Sequence, residues 1–503
     1  MPETAGLTPY SRQTLSSLPT YQVVDINFPC LRRELLKRTF HHAFPVALTV
    51  LLGLGTAGPG RAQTPGTPGI QPARLDYKIN TLPNGLKIVT LEDHRAPVVA
   101  IQVYYHVGSK DEAPGKAGFA HLFEHLMFKG SAHAGPEEHA RIIERLGGYN
   151  NADTYFDRTR YVDTVPSNAL DRLLWLEADR MASLNVDEPN LRSERDVVKE
   201  EHRMDIENQP YGDLFERVQA LVFPKSHPYA HTTIGIMSDL DSAKIADVRA
   251  FHDEYYKPDN ATLVLVGDFQ TSEALTLVRR YFAAVPRSKR PFTRYPVAPI
   301  DQQAERRAVF YDKLAPLPVI GMAYRTVPAN SPDTPILDVI AQILSIGQSS
   351  RLSRALVRDQ QIASDASGFT LSLAVDGLFM FQATANQGKM PAEIEKALQE
   401  QVDLIRDTPV TPLELAKAKN QALAGKVFGS LSTEQKAEQL GSADLDFGTP
   451  EEVNRELAKL NAVTVEDVQR VARKYFVTQH RNVFYDLPTA MQPKTEAPTK
   501  EKN

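Results

Sequence analysis

Soon after residue 75 the chain alternates apolar and polar positions. Residues 77–82 and 86–91 each place apolar side chains at every second position around Pro83-Asn84-Gly85, which predicts a β-hairpin whose turn needs positive φ. Residues 98–107 (VVAIQVYYHV) form a third strand, apolar enough for the middle of a sheet. The period then lengthens, predicting amphipathic helices over residues 119–128, 137–146, 170–181 and 191–206. A further helix over residues 245–255 leads into a strand at 262–266. Near residue 290 the pattern lapses. Pro286, Pro291, Pro296 and Pro299 are interleaved with Arg287, Lys289, Arg290 and Arg294, the composition of an extended linker. Strand and helix patterns resume from 308 to about 486, and a polar tail rich in Lys, Glu, Pro and Thr closes the chain.

The two halves repeat each other. LDSAKIADVRAFHDEYY (residues 240–256) aligns without gaps to LNAVTVEDVQRVARKYF (460–476), and an apolar strand follows each, at 263–266 and 483–485. Hairpins and surplus strands argue against simple βαβ alternation. The expected class is therefore α+β, two homologous domains each with a largely antiparallel sheet packed against helices. The expected division is a targeting segment (1–62), a flexible leader (63–74), a first domain (75–286), a linker (287–305), a second domain (306–487) and a disordered tail (488–503).

Composition narrows the chemistry. The chain has 503 residues, is 42% hydrophobic and 24% charged, and carries a formal net charge of −5, which excludes a nucleic-acid binder working through a basic surface. Cys30 is the only cysteine, so neither a disulfide framework nor a cysteine-ligated metal is available. Arg32, Arg33, Lys37 and Arg38 precede an apolar run at 43–57 and small residues after it, the layout of a secretory signal. That run is short for a membrane span. It predicts an exported protein, periplasmic or extracellular, with no stable membrane span after cleavage; an uncleaved amphipathic anchor is the alternative.

The string GFAHLFEHLMFKG (residues 118–130) carries the candidate chemistry. On a helix His121 and His125 are one turn apart on the same face, with Glu124 flanking them. Two imidazoles so placed can hold one zinc ion while the carboxylate handles protons, and H-x-x-E-H is a zinc-hydrolase signature. Paired surface histidines would look the same, but Leu122, Phe123, Leu126, Met127 and Phe128 make the segment mostly buried, and buried imidazoles need partners. A catalytic zinc requires a third protein ligand. The helix at 191–208 offers Glu194 and Glu201, seven apart, on a stripe with Leu191, Val197, Val198 and Met204. One carboxylate would be a ligand and the other would support a ligand histidine.

These strings resemble the pitrilysin family of inverzincin metallopeptidases, which includes insulin-degrading enzyme and mitochondrial processing peptidase, and within it the short bacterial exported type. His125 and Glu201 are 76 positions apart, as H-x-x-E-H and the glutamate of an E-R-x-V-x-x-x-E helix are in that family. Further similar strings are GGYNNADTYFDRTRY (147–161), VPSNALDRLLWLEADRM (165–181), HPYAHTTIG (227–235) and GQSSRL (347–352). The resemblance implies a zinc endopeptidase with one Zn2+ per chain, held by His121, His125 and Glu201. It further implies Glu124 as general base, Glu194 as support, and a peptide substrate added as a strand at Asn151 and Ala152. A non-catalytic structural or peptide-binding member of the same family is the alternative. Family members place an arginine and, seven residues on, a tyrosine near the zinc. Here Arg358 matches, but Asp365 occupies the tyrosine position. The family chamber uses four such domains and this chain supplies two, so the resemblance implies a homodimer, or a heterodimer with a zinc-less homologous subunit. His133 and His139 are expected as surface or capping residues, His227 and His231, a weaker metal pair interrupted by Pro228, as loop, and Trp175 in the core.

Overall fold

Among the described residues eleven strands form two sheets. The structure, a computed structural model, describes residues 73–493, so the expected targeting segment, nearly all of the leader and most of the tail lie outside the described residues. The first sheet contains β1 (Lys78–Thr81), β2 (Lys87–Glu92), β3 (Val98–Tyr105), β4 (Tyr149–Thr154), β5 (Thr159–Pro166) and β6 (Ala261–Gly267), in the order β1-β2-β6-β3-β5-β4. The second contains β7 (Arg306–Asp312), β8 (Val319–Arg325), β9 (Ala363–Ser372), β10 (Gly377–Ala385) and β11 (Arg481–Pro488), in the order β7-β11-β8-β10-β9. Neighbours are antiparallel except β2 with β6 and β7 with β11. The predicted hairpin is β1–β2, and Gly85 in its turn has φ +95°.

The helices of the first half are α1 (Phe119–Leu126), α2 (Glu138–Arg145), α3 (Leu170–Ser183), α4 (Glu188–His202), α5 (Leu214–Val222), α6 (Met237–Ser242), α7 (Ile245–Tyr255) and α8 (Thr271–Phe282). Those of the second half are α9 (Thr334–Ser345), α10 (Pro391–Asp407), α11 (Pro412–Phe428), α12 (Thr433–Phe447), α13 (Glu452–Ala462) and α14 (Val465–Tyr475). Residues 286–305 carry no helix or strand. The repeat read from the sequence is structural: α7 and α14 coincide at an offset of 220 residues, as do the starts of β6 and β11. Both β6 and β11 lie between one parallel and one antiparallel neighbour.

Both faces of each sheet are buried, which explains why β3 reads as a nearly unbroken apolar run. Val99, Ile101, Val103 and Tyr105 enter the core shared with α1, α3 and α7, while Ala100 and Tyr104 face the other way. That second face is covered by α12, a helix of the other half, through Ala437 and Leu440. Gln102 Nε2 donates to Glu434 O at 3.0 Å and Thr262 Oγ1 to Asp444 Oδ2 at 2.9 Å. The second sheet is treated reciprocally. Ile320, Met322, Phe379 and Phe381 face its own helices, whereas Val319, Ala323, Leu378 and Met380 meet Leu214, Val218 and Val222 of α5. Each sequence half thus completes the other's sandwich.

Two readings are corrected. Val197 and Met204, assigned to the buried stripe of α4, are 45% and 56% exposed; the stripe is Leu191, Glu194 and Val198, and the α-helix gives way to a wider turn at Arg203–Glu207. His139, expected as a surface or capping residue, is buried between α2, β5 and α3 with Asp163, Glu177 and Arg180. His227 lies in a loop, as expected, and is buried there, stacked on Phe223 at 4.6 Å between ring centroids.

Candidate metal centre

Two helices bring the expected ligands together. α1 begins at Gly118, whose φ of +99° only glycine adopts readily, and packs on α4, β4 and β5. Leu122, Phe123 and Leu126 are fully buried and fix its roll, leaving His121, Glu124 and His125 at the half-buried side. The Tyr161 hydroxyl of β5 donates to Phe123 O at 3.1 Å and ties the middle of α1 to the sheet. α4 starts with Asp187, whose carboxylate accepts from Asn190 N at 2.9 Å, and has a proline in its first turn. Its inner stripe presents Glu194 and, two turns on, Glu201.

Glu201 Oε2 lies 3.3 Å from His125 Nε2 and 3.6 Å from His121 Nε2, and the two imidazole rings stand at 87° with centroids 4.9 Å apart. All three ligand atoms fall within 4.8 Å of one another. Zinc arms of about 2.0–2.1 Å place tetrahedral ligand atoms about 3.3–3.4 Å apart, so these residues fit a zinc ion in both donor chemistry and spacing.

Behind the ligands, Glu194 Oε2 is 3.6 Å from His125 Nδ1, and its other oxygen accepts from Ser193 Oγ at 3.0 Å and faces Lys129 Nζ at 3.1 Å. Burial lowers the basicity of His125, but Glu194, Glu201 and Glu124 outweigh it and hold the imidazole at about 9. Burial likewise opposes ionisation of Glu194, and His125, Lys129 and Ser193 overcome it, keeping the carboxyl below its usual range. The site therefore concentrates negative charge where a cation would sit. Lys129 was not singled out from the sequence; it lies four residues beyond His125, just past the end of α1.

Asn151 and Ala152 belong to β4, which is the edge of the first sheet and packs beside α1. Arg358 is exposed in the wide turn Ser353–Asp359 of the second half. Asp365 lies at the start of β9, the edge of the second sheet. Among the described residues the other group able to share a cation is His139, Asp163 and Glu177, and Arg180 already neutralises it. Both groups fall in the first half.

Comparison with known proteins agrees with this geometry. The family described as Insulinase (Peptidase family M16) matches residues 87–232, which contain the whole cluster, and the Peptidase M16 inactive domain matches residues 242–422. The zinc protease PqqE of Helicobacter pylori is 32% identical over 414 residues, covering 80% of this chain and 91% of that protein. The mitochondrial-processing peptidase subunit beta of Lentinula edodes is 25% identical over 417 residues, covering 79% and 87%. The crystal structure of a protease from Helicobacter pylori matches with a TM-score of 0.79 at 29% identity, over 83% of this chain and 100% of that one. The chain belongs to the insulinase family, peptidase family M16.

Proposed function

We propose that this protein is a zinc-dependent endopeptidase that hydrolyses peptides or unfolded segments, with one Zn2+ per chain. The observation carrying this reading is the convergence of His121, His125 and Glu201 on a common point with Glu124 on the same helix face. When bound, zinc supplies Lewis acidity, stabilising developing charge on a carbonyl oxygen and lowering the pKa of water to about 7. His121, His125 and Glu201 hold the ion. Glu194 fixes the tautomer and orientation of His125 through Nδ1. Glu124 accepts the proton of the attacking water and returns it to the leaving amine. An extended peptide pairs with the open edge of β4 at Asn151 and Ala152, so backbone bonds give affinity without strict sequence demand. The description of residues 242–422 as an inactive domain is compatible with this division of labour, because that span holds none of the cluster.

Replacing Glu124 tests the assignment. Glu124→Gln is expected to retain zinc while losing cleavage of a fluorogenic peptide by at least about 100-fold. A variant with the parent's turnover would remove Glu124 from the reaction.

Two further parts of the reading concern the protein's setting. The basic and apolar N-terminal segment supports export to a periplasmic or extracellular space, and among the described residues no helix is long and apolar enough to cross a membrane. With Asp365 in the tyrosine position, the arginine–tyrosine pair is supplied by a zinc-less homologous partner. A purified chain that is homodimeric and fully active by itself would overturn that pairing.

A further inference from the structure

The helix that carries the histidines has no cap of its own. α1 is eight residues long, too short to persist in water by propensity, and its N-cap Gly118 has no side chain to receive a first-turn N–H. The amides around its start are met from outside the helix. Glu112 Oε2 accepts from Gly118 N at 2.9 Å and Glu112 Oε1 from Ala120 N at 2.8 Å, while Asp239 Oδ2 accepts from Ala117 N at 3.1 Å. The Glu112 side chain is 0% exposed. The end of the HPYAHTTIG string closes the opposite side. A β-carbon on Gly235 would lie 2.3 Å from Gly118 Cα, and one on Gly118 would lie 2.9 Å from Ile234 O. The start of α1 is thus held by a buried carboxylate and a backbone wall.

The consequence for the site is asymmetric. Ala120 immediately precedes His121, and Glu124 lies one turn beyond Ala120, whereas His125 is held independently through Glu194. Loss of the Glu112 contacts would free the first turn and with it the direction of the His121 imidazole. We infer that Glu112 is a positioning residue for metal binding, acting through the Gly118 and Ala120 amides to aim His121 at the point it shares with His125 and Glu201. This inference rests on the zinc reading above and adds a residue to it. Glu112 carries no motif of its own in the sequence. The signal for it is a helix that begins at glycine with no Ser, Thr, Asp or Asn in capping position.

The test compares the full chain with Glu112→Gln, in which one acceptor becomes an NH2 group facing an N–H donor. Each protein is stripped by chelator and reloaded with Zn2+ or Co2+. Zinc affinity is read by competition with a chromophoric chelator, ligand geometry by the visible absorption of the cobalt form, and stability by the thermal midpoint of the metal-free form. The expected result is a zinc affinity about 10–100-fold weaker and a changed cobalt spectrum. A Glu112→Gln protein that melts earlier but keeps the parent's affinity and spectrum overturns the inference, because Glu112 would then be structural only. If Glu112→Gln yields too little folded protein, Glu112→Asp replaces it; it keeps the charge but falls short by one methylene, and unchanged affinity and spectrum again overturn the inference. A parent chain that takes up no zinc overturns the metal reading and this inference together, whereas a parent that binds while its variants match it overturns this inference alone.

Discussion

At the scale of single residues, the candidate metal cluster was legible because its signals lie on the faces of two helices. His121 and His125 reveal themselves by one helical turn, and Glu201 by sharing a face with Glu194. The residues that escaped have partners outside their own element: Glu112, in the loop before α1, reaches the amides of Gly118 and Ala120, and Lys129, just past the end of α1, reaches Glu194 of α4. His139 was misplaced for the same reason, since its burial depends on Asp163 and Glu177 from elements not adjacent to it. Another buried group is silent in the sequence. Asp486 in the middle of β11 is 0% exposed, and neither carboxylate oxygen has a hydrogen-bond partner. Burial pushes its carboxyl up to about 7; Arg217 opposes the shift, and Asp312 and Asp213 add to it. The folded form keeps this proton up to about pH 7, whereas the unfolded chain releases it near pH 4. Stability from this group is therefore full below about pH 4 and lost as pH rises toward 7. Asp486→Asn removes the ionisable group. It is expected to raise the thermal midpoint at pH 8 by at least about 2 °C, with the gain shrinking toward pH 4. A gain independent of pH would show that ionisation of Asp486 is not the cause.

At the scale of elements, periodicity located most helices and strands of the first half. β1, β2 and β3 begin or end within a few residues of their expected bounds, and α7 matches the expected range. Periodicity placed Leu191, Glu194 and Val198 on the inner face of α4 correctly but added two residues that do not belong there: Val197 and Met204 point outward. Hydrophobicity predicts burial only where no charged partner is waiting, and here His125 and Lys129 make an inward carboxylate favourable. Which sheet a helix covers was not legible either. α12 lies in sequence between β10 and β11 of the second sheet and yet packs on β3 and β6. The contact is tight, since a β-carbon on Gly441 of α12 would lie 2.1 Å from the Tyr104 ring, itself fully buried in β3. Gly441→Ala is therefore expected to destabilise the protein by about 1–3 kcal/mol in denaturant unfolding, through overpacking at a surface between the halves. An unchanged midpoint would mean that α12 is not seated on the first sheet.

At the scale of the whole molecule, the repeat at an offset of 220 residues correctly announced two sheets of matching topology, because a duplicated fold keeps its strand order even where side chains diverge. The exchange of α5 and α12 between the halves went unseen, as it is a property of the assembled chain alone. That exchange matters for the site. The first sheet supplies the edge strand β4 and the floor beneath α1, and its far face is closed by the second half. The half without a candidate cation cluster among the described residues thus supports the half that carries one.

The central claim is that two short helices hold one divalent cation. Native mass spectrometry of the purified chain, run alongside His125→Ala, tests it directly. The account predicts one Zn2+ bound per parent chain and none in the variant. A parent that carries no zinc after reconstitution, or a His125→Ala variant that retains it in equal amount, would contradict the account.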